Sequence, residues 1–387
     1  MNKIINKIRY IKGIIFARTA FPNQFDAFYK TVKAFDKDSL SEIEKTWEAY
    51  KVIDKYVIYV YHTKLLKKII YTFAFPFIYC VVSHKKITDK AKKTDIIYYQ
   101  ISDNQGILPL KYKNNPNLIK VAMGEGMFLD DEARNILKES FKISKGNLCF
   151  LMEELLALAN YSYICNKYNP TEIITTYESC YANSVLTLYC HKKNVMHTNF
   201  MHGEKLFSPL NVFGCFDMMY VWDEYYESLF QQLKYSVKYY EIENPWEKVI
   251  LPKPNCLIDY TFYMNYETKK TLTYTVKIAR ELQNKGYSVR IRLHPSQLKE
   301  KKLISIVPTF MIDNGEKNIL QSIANTNYCV SRYSTVLYQA YSCRKHIVID
   351  DITSEQEYKK LREQKYIMLN KEHLLLSKEL IEKGVSY

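Results

Sequence analysis

Short apolar or β-branched runs alternate with longer amphipathic stretches along this chain, most regularly after residue 150. Residues 172–177 (EIITTY), 195–201, 217–222 (DMMYVW), 256–264, 288–293 (SVRIRL), 327–330 and 346–349 read as strands. Residues 150–168, 183–192, 223–233, 267–285, 316–324 and 335–342 read as the helices between them. In 267–285, Leu272, Val276, Ala279 and Leu282 share one face, and Gly286 stands where a C-cap glycine belongs. Strands that alternate with helices predict βαβ units on a parallel sheet, hence an α/β fold. Polar sequence with Pro245, Pro252 and Pro254 interrupts the rhythm over 235–255. The break predicts two Rossmann-like domains, 1–240 and 241–387, with parallel sheets facing a cleft.

The first third is less regular. Residues 39–61 predict a helix capped by Ser39 or Ser41, with Glu42 and Glu44 in its first turn. Residues 95–100 and 117–123 predict strands, the second ending at Gly124-Glu125-Gly126, and a helix follows over 130–140.

Two segments raise the question of a membrane. Residues 1–20 carry Lys3, Lys7, Arg9, Lys12 and Arg18 without an acid, with Ile4, Ile8, Ile11 and Ile15 on one helical face. That is a basic amphipathic helix, suited either to an anionic membrane surface or to packing on the domain, and it is not a secretory signal. Residues 69–82 (IIYTFAFPFIYCVV) hold no charge between Lys67-Lys68 and Lys85-Lys86. The run is short for a span and contains Pro76, so a buried strand or helix is expected.

Composition narrows the class. At 387 residues, 47% hydrophobic and 25% charged, the chain is globular and long enough for two domains. A net charge of +14 attracts phosphates of nucleotides, lipid headgroups or nucleic acid. The charge is dispersed, and no zinc spacing, helix-turn-helix or aromatic RNA-binding consensus occurs, so nucleic acid is not an expected partner. The nine Cys include no C-x-x-C pair and mostly sit in apolar runs, as reduced buried thiols do.

The candidate chemistry lies where strands end, which is where open α/β sheets bind ligands. His294-Pro295 follows residues 288–293; Pro295 keeps His294 extended, and its imidazole can donate to a phosphate oxygen. Arg290 and Arg292 alternate on that strand, and Arg292 can reach the same anion. Ser331-Arg332-Tyr333-Ser334-Thr335 offers hydroxyls, Ser331, Ser334 and Thr335, at a helix start whose free N–H groups favour phosphate.

His202-Gly203 ends another strand. A neutral His202 can take a proton from an acceptor hydroxyl, with Glu204 to orient it and Lys205 to attract anions. Glu125, exposed between two glycines, is the competing general base. His197 lies five residues before His202, a spacing that does not make a helical metal pair, and Asp36-Lys37-Asp38 sits away from any apolar strand end. No metal site and no cofactor is expected. P-loop, H-E-x-x-H and G-x-S-x-G motifs are absent from the sequence.

The order H-G, R-x-H-P, S-x-x-S-T resembles bacterial surface-polysaccharide transferases of the GT-B type. Two branches are similar: CDP-glycerol glycerophosphotransferases, and sialyltransferases or polysialyltransferases, whose acidic turn Gly124-Glu125-Gly126 matches in part. The resemblance covers about residues 120–350 and implies a metal-independent, inverting glycosyltransferase with a CMP- or CDP-linked donor. It implies that His294, Ser334 and Thr335 hold the donor phosphate. The base would be Glu125 on the sialyltransferase pattern or His202 on the glycerophosphotransferase pattern. The expected partners are a nucleotide-sugar donor, sialic-acid-like in the favoured case, and a glycan or lipid-linked glycan of capsule or lipopolysaccharide. The expected place is the cytoplasm, at the inner face of the membrane. Polyol-phosphate transfer, nucleotide-sugar epimerisation and non-catalytic binding of nucleotide sugar or nucleic acid are the alternatives.

Overall fold

The computed structural model describes residues 18–22, 25–59, 61–87, 94–100, 108–295, 297–313 and 318–385. The chain divides into two compact units, Met1–Asn244 and Pro245–Tyr387. Residues 1–17 of the expected basic helix lie outside the described residues, and from Arg18 the chain belongs to strand β1 (Arg18–Pro22), antiparallel to β2 (Val57–Tyr59).

The first unit is built on six parallel strands: β3 (Ile96–Gln100), β4 (Leu118–Ala122), β5 (Glu172–Thr175), β6 (Met196–Phe200), β7 (Cys215–Val221) and β8 (Ser236–Ile242). Their order is β4-β3-β5-β6-β7-β8. The β5 strand is buried along its whole length, which is why it reads as a continuous β-branched run. The helix Leu148–Tyr168 packs with Leu151, Leu155, Leu158 and Ile164 wholly out of solvent. The helix Glu42–Tyr56 starts at a capping box, in which Ser41 and Glu44 bond each other's backbone.

Two expectations are corrected here. Residues 69–82 are not a buried strand or helix; they belong to the helix Tyr61–His84, most of which is exposed. The polar interruption at 235–255 contains β8, and the expected domain break at 240 falls within that strand. β8 is an edge strand with five of its seven residues polar or tyrosine (SVKYYEI), so it lacks the apolar signature of the inner strands.

The second unit has five parallel strands: β9 (Ile258–Tyr263), β10 (Val289–Arg292), β11 (Thr326–Ser331), β12 (His346–Ile349) and β13 (Leu374–Leu375). Their order is β10-β9-β11-β12-β13. Phe262, Ile291, Val330 and Val348 from the sheet meet Leu272 and Leu282 from the helix Lys269–Asn284 in one core. Both units thus carry the Rossmann-like parallel sheet of the α/β class expected from the alternation. In both sheets the strand order reverses beside the first strand, between β3 and β5 and between β9 and β11. Such reversals open a crevice at the carboxyl ends of the strands.

Candidate functional site

In the first unit the most complete constellation lies beyond β5 and β6. Glu178, three residues after β5, has a side chain wholly out of solvent, while that of His202, two residues after β6, is 37% exposed. His202 Nδ1 stands 3.1 Å from Glu178 Oε2, and the His202 backbone N–H donates to Glu178 Oε1 at 3.2 Å. Lys205 Nζ completes the group at 2.6 Å from Glu178 Oε1 and also donates to the His202 carbonyl at 3.0 Å. Burial pushes the Glu178 carboxyl up, but the charges of His202 and Lys205 and their hydrogen bonds outweigh it and hold the group at about 2.

The Glu178 loop is fixed from three sides. Tyr235 OH donates to the Glu178 carbonyl at 2.7 Å, Asn183 Nδ2 donates to the same carbonyl at 3.0 Å, and Ser179 Oγ donates to Asn211 at 2.7 Å. Gly203 has φ +80°, a left-handed conformation that lets the chain turn immediately after the histidine. With Nδ1 held by a carboxylate, the imidazole keeps one tautomer and its Nε2 carries the lone pair. The site can therefore accept a proton at a strand end and stabilise the imidazolium that results.

Two roles expected of the neighbours are corrected. Glu204 does not orient His202; it is buried and accepts from Tyr226 OH, and burial pushes its carboxyl up to about 8. Lys205 is not an exposed anion lure, since its side chain is 8% exposed and faces Glu178. The orienting residue is Glu178, which the sequence reading missed. The available signal was an acid three residues past a buried strand, in the loop beside the crevice.

Glu125 occupies the turn after β4, beside Gly124 at φ +83°. Its carboxylate accepts from Lys167 Nζ at 2.9 Å and Tyr168 OH at 2.5 Å. Burial is the largest single influence and raises its carboxyl, but the bonds from Tyr168 and Lys167 and the lysine charge together outweigh it and lower the group from its ordinary value. β4 lies three strands from β6 in the sheet order. Neighbouring strands are about 4.8 Å apart, so the strands that the Glu125 and His202 turns follow lie roughly 14 Å apart across the sheet. His197 is buried between Tyr161 OH at 2.9 Å and Thr187 Oγ1 at 2.7 Å, and burial pulls it down to about 3. Asp36 caps the short turn Lys37–Ser39, and Lys37 donates to the Tyr235 carbonyl.

In the second unit His294 is exposed two residues past β10, and its carbonyl accepts from the Gln297 backbone N–H at 2.8 Å. Arg292 points to Asp313, with Nη1 at 3.1 Å from each carboxylate oxygen, and Ser322 Oγ donates to the same acid at 2.5 Å. Ser331 is buried and donates to the Tyr263 carbonyl at 2.6 Å. Ser334 is the N-cap of the helix Thr335–Ser342 and accepts from the Val336 N–H at 3.2 Å. Ser331 and Arg292 are thus engaged within the fold, whereas Ser334 and Thr335 stand at a helix start.

Glu267 and Gln297 tie these turns together, and neither was anticipated as a site residue. Arg332 Nη2 lies 3.1 and 3.0 Å from the Glu267 carboxylate oxygens. Gln297 receives the Glu267 N–H at 3.1 Å and donates to the Glu267 carbonyl at 2.8 Å. The loops after β9, β10 and β11 are therefore cross-braced at the reversal of strand order, which holds the His294 and Ser334 turns in fixed positions.

No protein-family model matches the chain. No curated protein matches it either. Among solved structures it is similar to MnaA of S. aureus in a co-structure with UDP, at 10% identity over 66% of this chain and 79% of that one, TM-score 0.42. The UDP-GlcNAc 2-epimerase of Methanocaldococcus jannaschii, in complex with UDP-GlcNAc and UDP, is 11% identical over 73% and 94% of the two chains, TM-score 0.41. The wall teichoic acid polymerase TagF, after a soak with CDPG, is 11% identical over 77% and 81%, TM-score 0.40. Likenesses of this depth leave substrate and reaction to be argued from the residues themselves.

Proposed function

We propose that the chain is a metal-independent transferase that moves a group from a CMP- or CDP-linked donor to an acceptor hydroxyl. The observation that carries this reading is the His202–Glu178–Lys205 group. A half-exposed histidine held by a wholly buried carboxylate, at the end of a parallel strand, is built to accept a proton. In the proposed reaction His202 Nε2 takes the proton of the acceptor hydroxyl, whose oxygen attacks the donor, and the nucleotide leaves with the bonding pair. His294 and the helix start at Ser334 and Thr335 hold the departing phosphate through N–H and O–H donors. The proposed acceptor is a surface glycan or its lipid-linked precursor, and the proposed donor carries a nucleotide-activated group.

His202 rather than Glu125 is the proposed base. Glu125 is committed to Lys167 and Tyr168, which weaken it as a proton acceptor. That choice follows the glycerophosphotransferase pattern and favours transfer of a polyol phosphate over transfer of a sialic-acid-like sugar, which is the second reading.

Thermal unfolding with CMP, CDP, UDP, GDP and ADP tests the donor side, with His294→Ala alongside. A shift selective for CMP or CDP and lost in the variant is expected. No shift with any nucleotide at millimolar concentration sinks the reading. Turnover of donor without acceptor would instead identify an epimerase.

A further inference from the structure

Among the described residues two helices are long and apolar enough to cross a membrane, and they differ in kind. Of the apolar window in Leu148–Tyr168, 72% is buried, as in a core helix, whereas in Lys64–His84 only 6% is. The second lies within the helix Tyr61–His84, which packs along Leu148–Tyr168 and turns its other side outward. Leu66, Ile69, Ile70, Phe73, Phe77 and Val81 fall on that outward side, and Phe73 and Phe77 are 80% and 72% exposed. No charged residue occurs from Ile69 to Val81. Scattered exposed apolar residues are ordinary, but a continuous face of this length on a surface helix marks a covered surface.

Charge indicates what covers it. Lys68 is exposed at the start of the apolar run, and Lys85 and Lys86 are exposed just past its end. Exposed lysines at both ends of an apolar helical face match an anionic lipid surface, in which acyl chains take the face and headgroups take the lysines. A second copy of the chain would bring like-charged borders together on a molecule that already carries +14.

We propose that Tyr61–His84 seats the protein on an anionic phospholipid surface, with its outward face sunk to the acyl boundary and Lys68, Lys85 and Lys86 among the headgroups. The helix lies along the surface rather than spanning, because both ends are tied to the first unit. Lys64 pairs with Asp54 at 3.1 Å and Lys67 with Glu153, while the Val82 carbonyl accepts from the Leu129 N–H at 3.2 Å.

The test is flotation of the full chain with mixed phosphatidylglycerol–phosphatidylcholine vesicles and with phosphatidylcholine alone. No donor is needed, so its failure is separable from failure of the transferase reading. Strong binding to the anionic vesicles is expected, reduced more than about tenfold by Phe73→Asp with Phe77→Asp. Replacing Lys68, Lys85 and Lys86 by Gln should abolish the preference for phosphatidylglycerol. Because both phenylalanines are exposed, the double variant should unfold at the wild-type temperature, and Phe77→Trp should show a blue shift and quenching by brominated acyl chains. Unchanged binding by the Asp variant, no binding by the wild type, or a dimer that the Asp variant dissociates would each overturn the proposal.

Discussion

Glu178 and His202 come from loops after neighbouring strands, 24 residues apart, and meet at 3.1 Å with the carboxylate wholly buried. The strand pairing of β5 and β6 makes this meeting possible, since it sets their carboxyl ends side by side. A buried charge persists only when paired, and here one carboxylate serves a histidine, a backbone N–H and a lysine. The arrangement fixes the ring of His202 and leaves its far nitrogen for chemistry.

If His202 is the base, His202→Gln should lower kcat for nucleotide release by about 10²–10⁴-fold with little change in donor KM. Glu178→Gln should lower kcat by about 10–100-fold, because it acts through His202. Initial rates with a CDP-linked donor decide. A Glu178→Gln enzyme with a wild-type rate would remove the pair from the mechanism.

The Glu178 carboxyl is held near 2, below its ordinary value, so the folded state favours the ionised form. Its contribution is fully present above the unfolded value of about 4.3 and is lost as pH falls toward 2. By linkage the depression is worth about 3 kcal/mol. Unfolding followed between pH 5 and pH 2 should show a steep acid limb that flattens in Glu178→Gln.

Glu154 behaves oppositely. Its side chain is buried and, among the described residues, accepts from Ser140 Oγ alone, at 2.6 Å, and burial raises its carboxyl to about 8. A group raised in the fold contributes stability below its unfolded value and loses it as pH rises through the folded one. Glu154→Gln should therefore flatten the decline in Tm between pH 5 and pH 8. An unaltered decline would place its origin elsewhere.

A Cβ at Gly214 would overlap the ring of Tyr235, whose hydroxyl holds the Glu178 carbonyl. Gly214→Ala should cost about 1–3 kcal/mol by overpacking and lower kcat by displacing the Glu178 loop. Tyr235→Leu in the same chain should recover stability but not rate. Calorimetry and rate measurements on the single and double variants separate the two effects.

Arg332 and Glu267 form a largely buried pair, with side chains 14% and 4% exposed. Breaking such a pair from one side costs about 3–5 kcal/mol. Arg332→Gln should lower the unfolding temperature of the second unit and weaken CDP binding together, read by calorimetry with and without nucleotide. Full nucleotide affinity in a destabilised variant would separate the brace from the donor turn.

The α/β class and the strand-end placement of the histidines were legible in the sequence. Their signals are local: β-branched runs such as EIIT, helical apolar spacing, and the cap Ser41. Helix Asn183–Lys192 and strand His346–Ile349 lie where the pattern placed them. β8 escaped because an edge strand buries too little to need apolar residues. The partners of the candidate residues were not legible. Glu204 and Lys205 are adjacent to His202 in sequence, yet Glu178, brought in by β5, orients the ring, because strand pairing rather than chain proximity sets which side chains converge. The exposure of Tyr61–His84 was equally hidden, since an apolar run reads the same whether its outer face meets protein or something else. Local pattern thus determined most of the elements and the turns that carry the candidate histidines. Only the packed sheet decided which carboxylate meets which histidine, and which apolar face is left outside.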